Sequence, residues 1–438
     1  MKWNKITLFI IILIYQNLFS QTLTLEESIE LGLKNSKDLK ISSSKLISSD
    51  AKMSEVGSQM LPKLSLSASY TRLSDIPPFE ITTPFTPDQI KLYDIILNNY
   101  NVKLSLQQPL FTGFRLSSLK NAAEYNYKAL EEKYDEDINN AAFEIHSAFW
   151  NYYKAEQIKD LIEENLKQTA LHLEDTRNFL ENGLVTRNDL LKLEVQYSNT
   201  ELMKIDAENN VELARVAFNK AIGIELNSPS DLVIKEIKPS NYEYDFEEIL
   251  AEAQKNRSDL KSLEYKIQAS EENIDAARAG WFPSVFLYGD FYYSRPNQRI
   301  LPPEDKFNET WDVGVSLNWD LWNWGKTSSL TTQAEENKFQ AEMILSKLKD
   351  AVEIEVYQLY LNYKKSLDRI NVIQKSIEQA EENYRITKEK YNSQLATSND
   401  LIDAEVSVLQ AKTNLTNALV DYELSRLTLE KTIGRRIY

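Results

Sequence analysis

The chain has 438 residues and a formal net charge of −16, which excludes a protein that holds nucleic acid through its phosphates. It contains no cysteine and only two histidines, His146 and His172, so disulfides, thiolate metal sites and a cysteine nucleophile are excluded; no metal and no cofactor is expected. Hydrophobic residues make up 42% and aromatic residues 11%, enough to build a core and to exclude a disordered chain.

The first element is an apolar run from Ile6 to Tyr15 behind Lys2 and Lys5, with Leu18-Phe19-Ser20 before Gln21. It reads as a secretory signal over residues 1–20; the alternative is an N-terminal anchor helix. A lipid anchor would need a cysteine at the cleavage site. No later run reaches the length of a membrane-spanning helix.

From residue 21 the chain is written twice. At an offset of 221, Lys34-Asn35 falls on Lys255-Asn256, Asp38-Leu39-Lys40 on Asp259-Leu260-Lys261, and Pro62 on Pro283. At an offset of 211, Leu110-Phe111 falls on Leu321-Trp322, Asn188-Asp189-Leu190 on Asn399-Asp400-Leu401, and Ile222-Gly223 on Ile433-Gly434. The division is a first repeat over 21–223, a linker over 224–244 and a second repeat over 245–438. The offset changes between about 74 and 99, a segment holding Pro77, Pro78, Pro84 and Pro87. Its counterpart, about 295–310, holds Pro296, Pro302 and Pro303. Both read as exposed loops at the ends of hairpins.

In chain order, each repeat opens with short helices, around 25–60 and 246–280, expected to add a second layer. A strand pair follows, about 63–110 in the first repeat and 284–320 in the second. Residues 64–70 and 100–106 alternate strictly, as do 311–319, while 285–291 carry aromatics on both faces. All twelve prolines lie within 62–109, 229–239 or 283–303, so two long stretches are free to be helical. Apolar residues recur there at helical steps, from Leu116, Leu119 and Ala123 to Ile138, Ala141 and Ile145. Helical hairpins are predicted over about 113–222, turning at Asn182-Gly183-Leu184-Val185, and over about 325–434, turning at Gln394-Leu395-Ala396. Some sixty helical residues make a rod of about 100 Å.

The strands could be hairpins of a soluble domain, but three features favour a membrane. Lys103 and Ser105 on one strand, and Asp312 and Ser316 on another, make polar strand faces that suit water. Each strand is about ten residues long, the span of a tilted membrane strand. Trp311, Trp319, Trp322 and Trp324 gather at strand ends, where tryptophan prefers the headgroup level. Four strands cannot close a barrel, and an open sheet would leave backbone groups unpaired in lipid. The barrel must be shared, and three chains would supply twelve strands.

Taken together, the duplicated helix–strand–strand–helix–helix plan, the segment Pro109-Leu110-Phe111-Thr112-Gly113-Phe114-Arg115, and the tip segments at 183–191 and 391–401 resemble the TolC-like outer-membrane efflux protein family. The likeness covers nearly all of the chain after residue 20. It implies a mainly α fold with membrane β: a homotrimer whose twelve-stranded β-barrel sits in outer-membrane lipid and is continued by a long α-helical coiled-coil barrel in the periplasm. It implies two partners, a periplasmic adaptor and an inner-membrane transporter. The adaptor would dock on the tips, at Gly183, Leu184, Val185 and Thr186 and at Gln394, Leu395, Ala396 and Thr397. By position in the motif, Asp400 and Asp403 match the acidic ring of the closed entrance, and Asp189 and Tyr391 match a pair that bonds between neighbouring coiled coils. The chain departs from the pattern at Ala396, where the best-known members carry an arginine, and at Gln394, where the first tip has Gly183.

The residues themselves leave a second reading for two of these acids. Thr186-x-x-Asp189 and Thr397-x-x-Asp400 are capping-box patterns, so both aspartates could be helix caps. Asp403 lies one turn after Asp400 on the same face, whereas the first repeat has Lys192 there. The two histidines read as ordinary helix residues, and the Glu131-Glu132 and Glu335-Glu336 runs as solvated faces. The function expected is a passive outer-membrane exit channel for small molecules or proteins. The alternative is the periplasmic coiled-coil adaptor of the same kind of system. No nucleophile–base arrangement and no phosphate-binding glycine loop supports an enzyme.

Overall fold

A computed structural model describes residues 21–77, 80–91, 95–234, 237–239 and 244–438. The expected signal segment, 1–20, lies outside the described residues. In chain order the elements are β1 (Gln21–Leu23), α1 (Leu25–Asn35), α2 (Lys37–Ser58), β2 (Lys63–Arg72), β3 (Glu80–Thr83), β4 (Thr86–Lys91), β5 (Asn98–Phe111), α3 (Arg115–Glu181), α4 (Arg187–Ile222) and β6 (Ser230–Leu232). The second half runs α5 (Phe246–Asn256), α6 (Ser258–Arg278), β7 (Ser284–Arg295), β8 (Asn308–Asn318), α7 (Lys326–Asn392) and α8 (Ser398–Thr432). The duplication holds at the level of single residues. α3 and α7 are each 67 residues long and begin 211 residues apart; α1 and α5 are each 11 residues and begin 221 apart.

Two consecutive left-handed residues launch each long helix. They are Gly113 and Phe114 (φ 62° and 69°) before α3, and Trp324 and Gly325 (φ 54° and 78°) before α7. Each turn thus has one glycine, the residue that takes this conformation without steric cost, but at opposite positions. At Gly113 the glycine is needed twice over, because a Cβ there would come within 2.7 Å of the Ala279 carbonyl oxygen.

The compact units of the molecule are not the sequence repeats. Of the described residues, one unit takes those up to Ser44, those in 132–261 and those in 346–438, and the other takes those in 45–131 and 262–345, so each draws on both repeats.

The first unit is helical around a core of Ile145, Phe149 and Tyr152 from α3, Phe218 and Ile222 from α4, and Val420 and Leu427 from α8. Chain-end residues seal it. The Ile437 carbonyl meets His146 Nε2 at 2.8 Å, and the Ile437 N–H donates to Asn139 Oδ1 at 3.3 Å. His146 is therefore a buried structural residue, as expected of a helix seam. β1 pairs in parallel with β6, and the Tyr152 hydroxyl donates to the Ser230 carbonyl at 2.8 Å. This small sheet lies partly in what reads from sequence as a plain linker. Three-residue strands are too short to show a period.

The second unit carries the four-stranded sheet. Its order is β2-β5-β7-β8, antiparallel throughout. Within one chain the sheet is open, with β2 and β8 at its edges, and it forms no closed barrel. The register places Ser65, Ser67, Ser105, Lys103, Asp290 and Asp312 on one face. Lys103 is bonded to Asp290 at 2.8 Å, and Arg299 reaches Asp312. The opposite face carries Leu64, Leu66, Leu104, Leu106, Trp311, Val313, Val315 and Leu317, all exposed, Leu66 and Trp311 each at 70%. Two aromatics that blur the alternation along β7 have local causes. Tyr288 lies over Gly314, where a Cβ would come within 2.6 Å of its hydroxyl, and Tyr292 lies beneath Arg299, 4.3 Å from the ring centre.

One expectation needs correcting. The segment between β2 and β5 is not wholly loop: β3 and β4 pair antiparallel, Glu80 with Lys91 and Ile81 with Ile90. Proline is tolerated in such a two-stranded ribbon because each strand is an edge.

Candidate functional site

The candidate site has two parts, the exposed faces of the sheet and the tips of the two helical hairpins. The first part follows from alternation. Trp319, Trp322 and Trp324 follow the end of β8 and are exposed, with the rings of Trp322 and Trp324 meeting edge-on at 5.9 Å. Trp311 lies eight residues before Trp319, about 26 Å along an extended chain, close to the height of the apolar band of a membrane barrel. Among the described residues no helix is long and apolar enough to cross a membrane.

The tips are built from helix-end chemistry. α3 closes with the Gly183 N–H on the Leu180 carbonyl and the Leu184 N–H on the Phe179 carbonyl, both at 2.9 Å. α7 closes in the same way, with the Gln394 N–H on Tyr391 at 2.9 Å and the Leu395 N–H on Lys390 at 2.7 Å. This paired closure requires a left-handed residue, and Gly183 (φ 70°) and Gln394 (φ 64°) supply it. Leu184 and Leu395 are exposed at the two turns, beside the partly exposed Val185 and Ala396.

Each return helix then opens with a capping box. Asp189 Oδ2 accepts from the Thr186 N–H at 3.0 Å and from its hydroxyl at 2.6 Å. Asp400 Oδ2 accepts from the Thr397 N–H at 2.8 Å and from its hydroxyl at 2.7 Å. Both carboxyls are held below the usual aspartate range, Asp189 chiefly by the Thr186 hydroxyl and Asp400 chiefly by the Thr397 N–H. The capping role is thus present for both. Asp403 makes no such cap. It is exposed one turn further on, and neither it nor Asp400 is paired with a cation among the described residues.

Asp189 and Tyr391 are not bonded to each other within the chain. Tyr391 is only 3% exposed, and its hydroxyl meets Thr176 Oγ1 at 2.6 Å.

Thr176 belongs to a feature that sequence reading missed. Asn165, Thr169, His172 and Thr176 recur at steps of four, three and four on one stripe of α3, and all four are buried. Each reaches the second hairpin. Asn165 Nδ2 and Thr169 Oγ1 donate to Glu405 Oε1 at 3.0 and 2.9 Å, and His172 Nε2 meets the Tyr384 hydroxyl at 2.9 Å. The available signal was a polar residue at each seam position of a helix whose flanking turns are apolar. Within the first hairpin, by contrast, the seam near the tip is apolar: Leu173, Leu190 and Leu193.

Comparison with known proteins agrees with this arrangement. The sequence family described as outer membrane efflux protein matches residues 29–224 and 249–435. Outer membrane protein TolC of Vibrio cholerae is 24% identical over 381 residues, 86% of this chain and 83% of that protein. Alkaline protease secretion protein AprF of Pseudomonas aeruginosa is 22% identical over 336 residues, 74% of this chain and 67% of that protein. The crystal structure of the Campylobacter jejuni CmeC outer membrane channel superposes with a TM-score of 0.77 at 19% identity, covering 94% of this chain and 85% of that one.

Proposed function

Because the chain belongs to the outer membrane efflux protein family, we propose that it is the outer-membrane exit channel of an efflux or secretion system, working as a homotrimer. The observation that carries this reading is the open four-stranded sheet, polar on one face, apolar on the other and unpaired at both edges. In lipid the edge groups of β2 and β8 need partners. Joining the β8 edge of one copy to the β2 edge of the next satisfies them, and three copies give twelve strands. The apolar face then meets lipid, and the polar face, with Lys103, Asp290 and Asp312, lines water.

The long helices of the three copies form the periplasmic part of the conduit. The exposed turns around Gly183–Thr186 and Gln394–Thr397 receive a periplasmic adaptor, which links the channel to an inner-membrane transporter. Asp400 and Asp403 form two stacked rings of carboxylates at the entrance, attracting cations. The protein supplies no chemistry and no energy; small molecules or proteins handed over by its partners pass outward through it. Proteins matched here range from TolC to a protease secretion protein, so the cargo is set by the partners. The adaptor alternative lacks support, since neither the matched family nor the matched fold is an adaptor's.

Native mass measurement of the detergent-extracted protein, paired with conductance in planar bilayers, tests this. Three chains per particle and a water-filled pore are expected. A stable membrane-inserted monomer overturns the reading.

A further inference from the structure

We propose that the polar seam between the two helical hairpins is a proton-dependent latch: it holds while the Glu405 carboxyl is protonated and loosens when that carboxyl ionises. The latch is a property of one chain; only its effect on opening rests on the channel reading above.

The geometry is specific. Glu405 is 3% exposed, on α8 and two residues beyond Asp403. Its Oε1 takes both donors that α3 offers, Asn165 and Thr169, while its Oε2 is buried with no hydrogen-bond partner. A neutral acid can leave a hydroxyl there at modest cost. A carboxylate places charge on an oxygen that neither water nor a donor reaches, and that is far more costly. Burial accordingly pushes the group up to about 7, against the hydrogen bond from Thr169 and the attraction of Lys388.

The surrounding groups set the sign. From α7, Lys388 and Tyr384 face the seam, with Lys388 Nζ 5.8 Å from the centre of the Tyr384 ring. From α3 comes His172, with Asp175 beside it; burial and then Lys388 push His172 below its ordinary value. The stability that Glu405 gives the closed seam is complete below its ordinary value of 4.5 and is lost as pH rises through about 7. The contribution of His172 runs the other way, present above 6.5 and lost as pH falls through its lowered value. The two oppose each other in mild acid, so the Glu405 arm is read cleanly only with His172 replaced.

The position gives the latch its use. Asp400 and Asp403 ride on the same helix as Glu405, so releasing α8 from α3 frees the helix that carries both acids. A seam made of hydrogen bonds also opens more cheaply than one made of leucines, because its groups exchange partners with water.

The experiment uses the full chain in detergent with His172→Gln, following backbone hydrogen exchange in 380–410, corrected for intrinsic pH dependence. Between pH 4.5 and 7.5 the opening of this segment is expected to rise at least about tenfold. Adding Glu405→Gln, which keeps an acceptor for Asn165 and Thr169 and cannot ionise, should flatten that rise. Lys388→Gln, at an exposed position, should move the midpoint to higher pH with the seam bonds intact. An unchanged rise in the Glu405→Gln protein, or no rise in its parent, overturns the latch. Open fraction in planar bilayers should follow the same order. If neither protein conducts, the channel reading fails while the exchange result still decides the latch.

Discussion

Gly183 and Gln394 occupy the same left-handed position in two equivalent helix-closing turns, 211 residues apart. A side chain costs about 1–2 kcal/mol in this conformation, and glycine does not bear that cost. Nothing lies within 4 Å of a Cβ built at Gly183, so substitution there acts through the backbone alone. Gly183→Ala should lower stability by about 1 kcal/mol. Gln394→Gly should raise it by a few tenths to about 1 kcal/mol, the gain being offset in part by the greater freedom of glycine in the unfolded chain. Denaturant titration of the purified protein checks both; a loss of stability in Gln394→Gly would refute the strain assigned to that turn.

Asp400 both caps α8 and stands beside Asp403, and two variants separate those roles. Asp400→Ala with Asp403→Ala should abolish block by multivalent cations added from the periplasmic side and lower cation selectivity. Thr397→Ala removes the hydroxyl of the capping box and leaves both acids, so it should weaken the helix start and retain the block. Single-channel recording with a trivalent cation distinguishes them. Equal block in the double variant and its parent would leave Asp400 as a cap only.

The Thr176–Tyr391 bond predicts a coupled pair. Tyr391→Phe and Thr176→Val should each destabilise the seam by about 1 kcal/mol and raise conductance. The double variant should add little to either one alone. Asp189→Asn should act separately, through the Thr186 cap. Full additivity of the first two would mean that the bond does not hold the hairpins together.

Topology gives a cell-based prediction. Tags inserted near Thr83 or Pro302, in the two proline-rich connections of the sheet, should be reachable on intact cells. A tag at Val185 should be reachable only after the outer membrane is broken. Antibody binding in the reverse order would invert the orientation.

Sequence reading reached far where the code is periodic. The offset of 221 reappears as α1 and α5 and that of 211 as α3 and α7, each pair equal in length, and the alternation at 64–70, 100–106 and 311–319 gives three of the four strands. The Thr186 and Thr397 caps were also legible, because a capping box is local. What escaped was either too short or too distant. β1 and β6 have three residues each and are defined by one another across more than two hundred positions. The hairpin of β3 and β4 was hidden by prolines that usually mark loops. Glu405 looks like any surface acid on a helix until the partners from α3, some 240 residues earlier, are brought against it. The compact units could not be read from the repeats, since each is assembled from both.

The open edges of β2 and β8 bear on the life of the chain before it reaches the membrane. A newly made copy carries a ten-residue edge and an eleven-residue edge of unpaired amides and carbonyls beside a row of exposed leucine, valine and tryptophan. Such edges recruit any strand they meet, so a waiting copy is a hazard that has to be escorted or consumed quickly. In the proposed trimer the same edges make copies interdependent. A chain whose β8 edge is spoiled, for instance by proline at Val313, can still offer its β2 edge to a sound neighbour and draw it into an assembly that cannot close. Defects of this kind should be dominant when both versions are produced together, whereas a chain unable to make the sheet at all should be silently discarded.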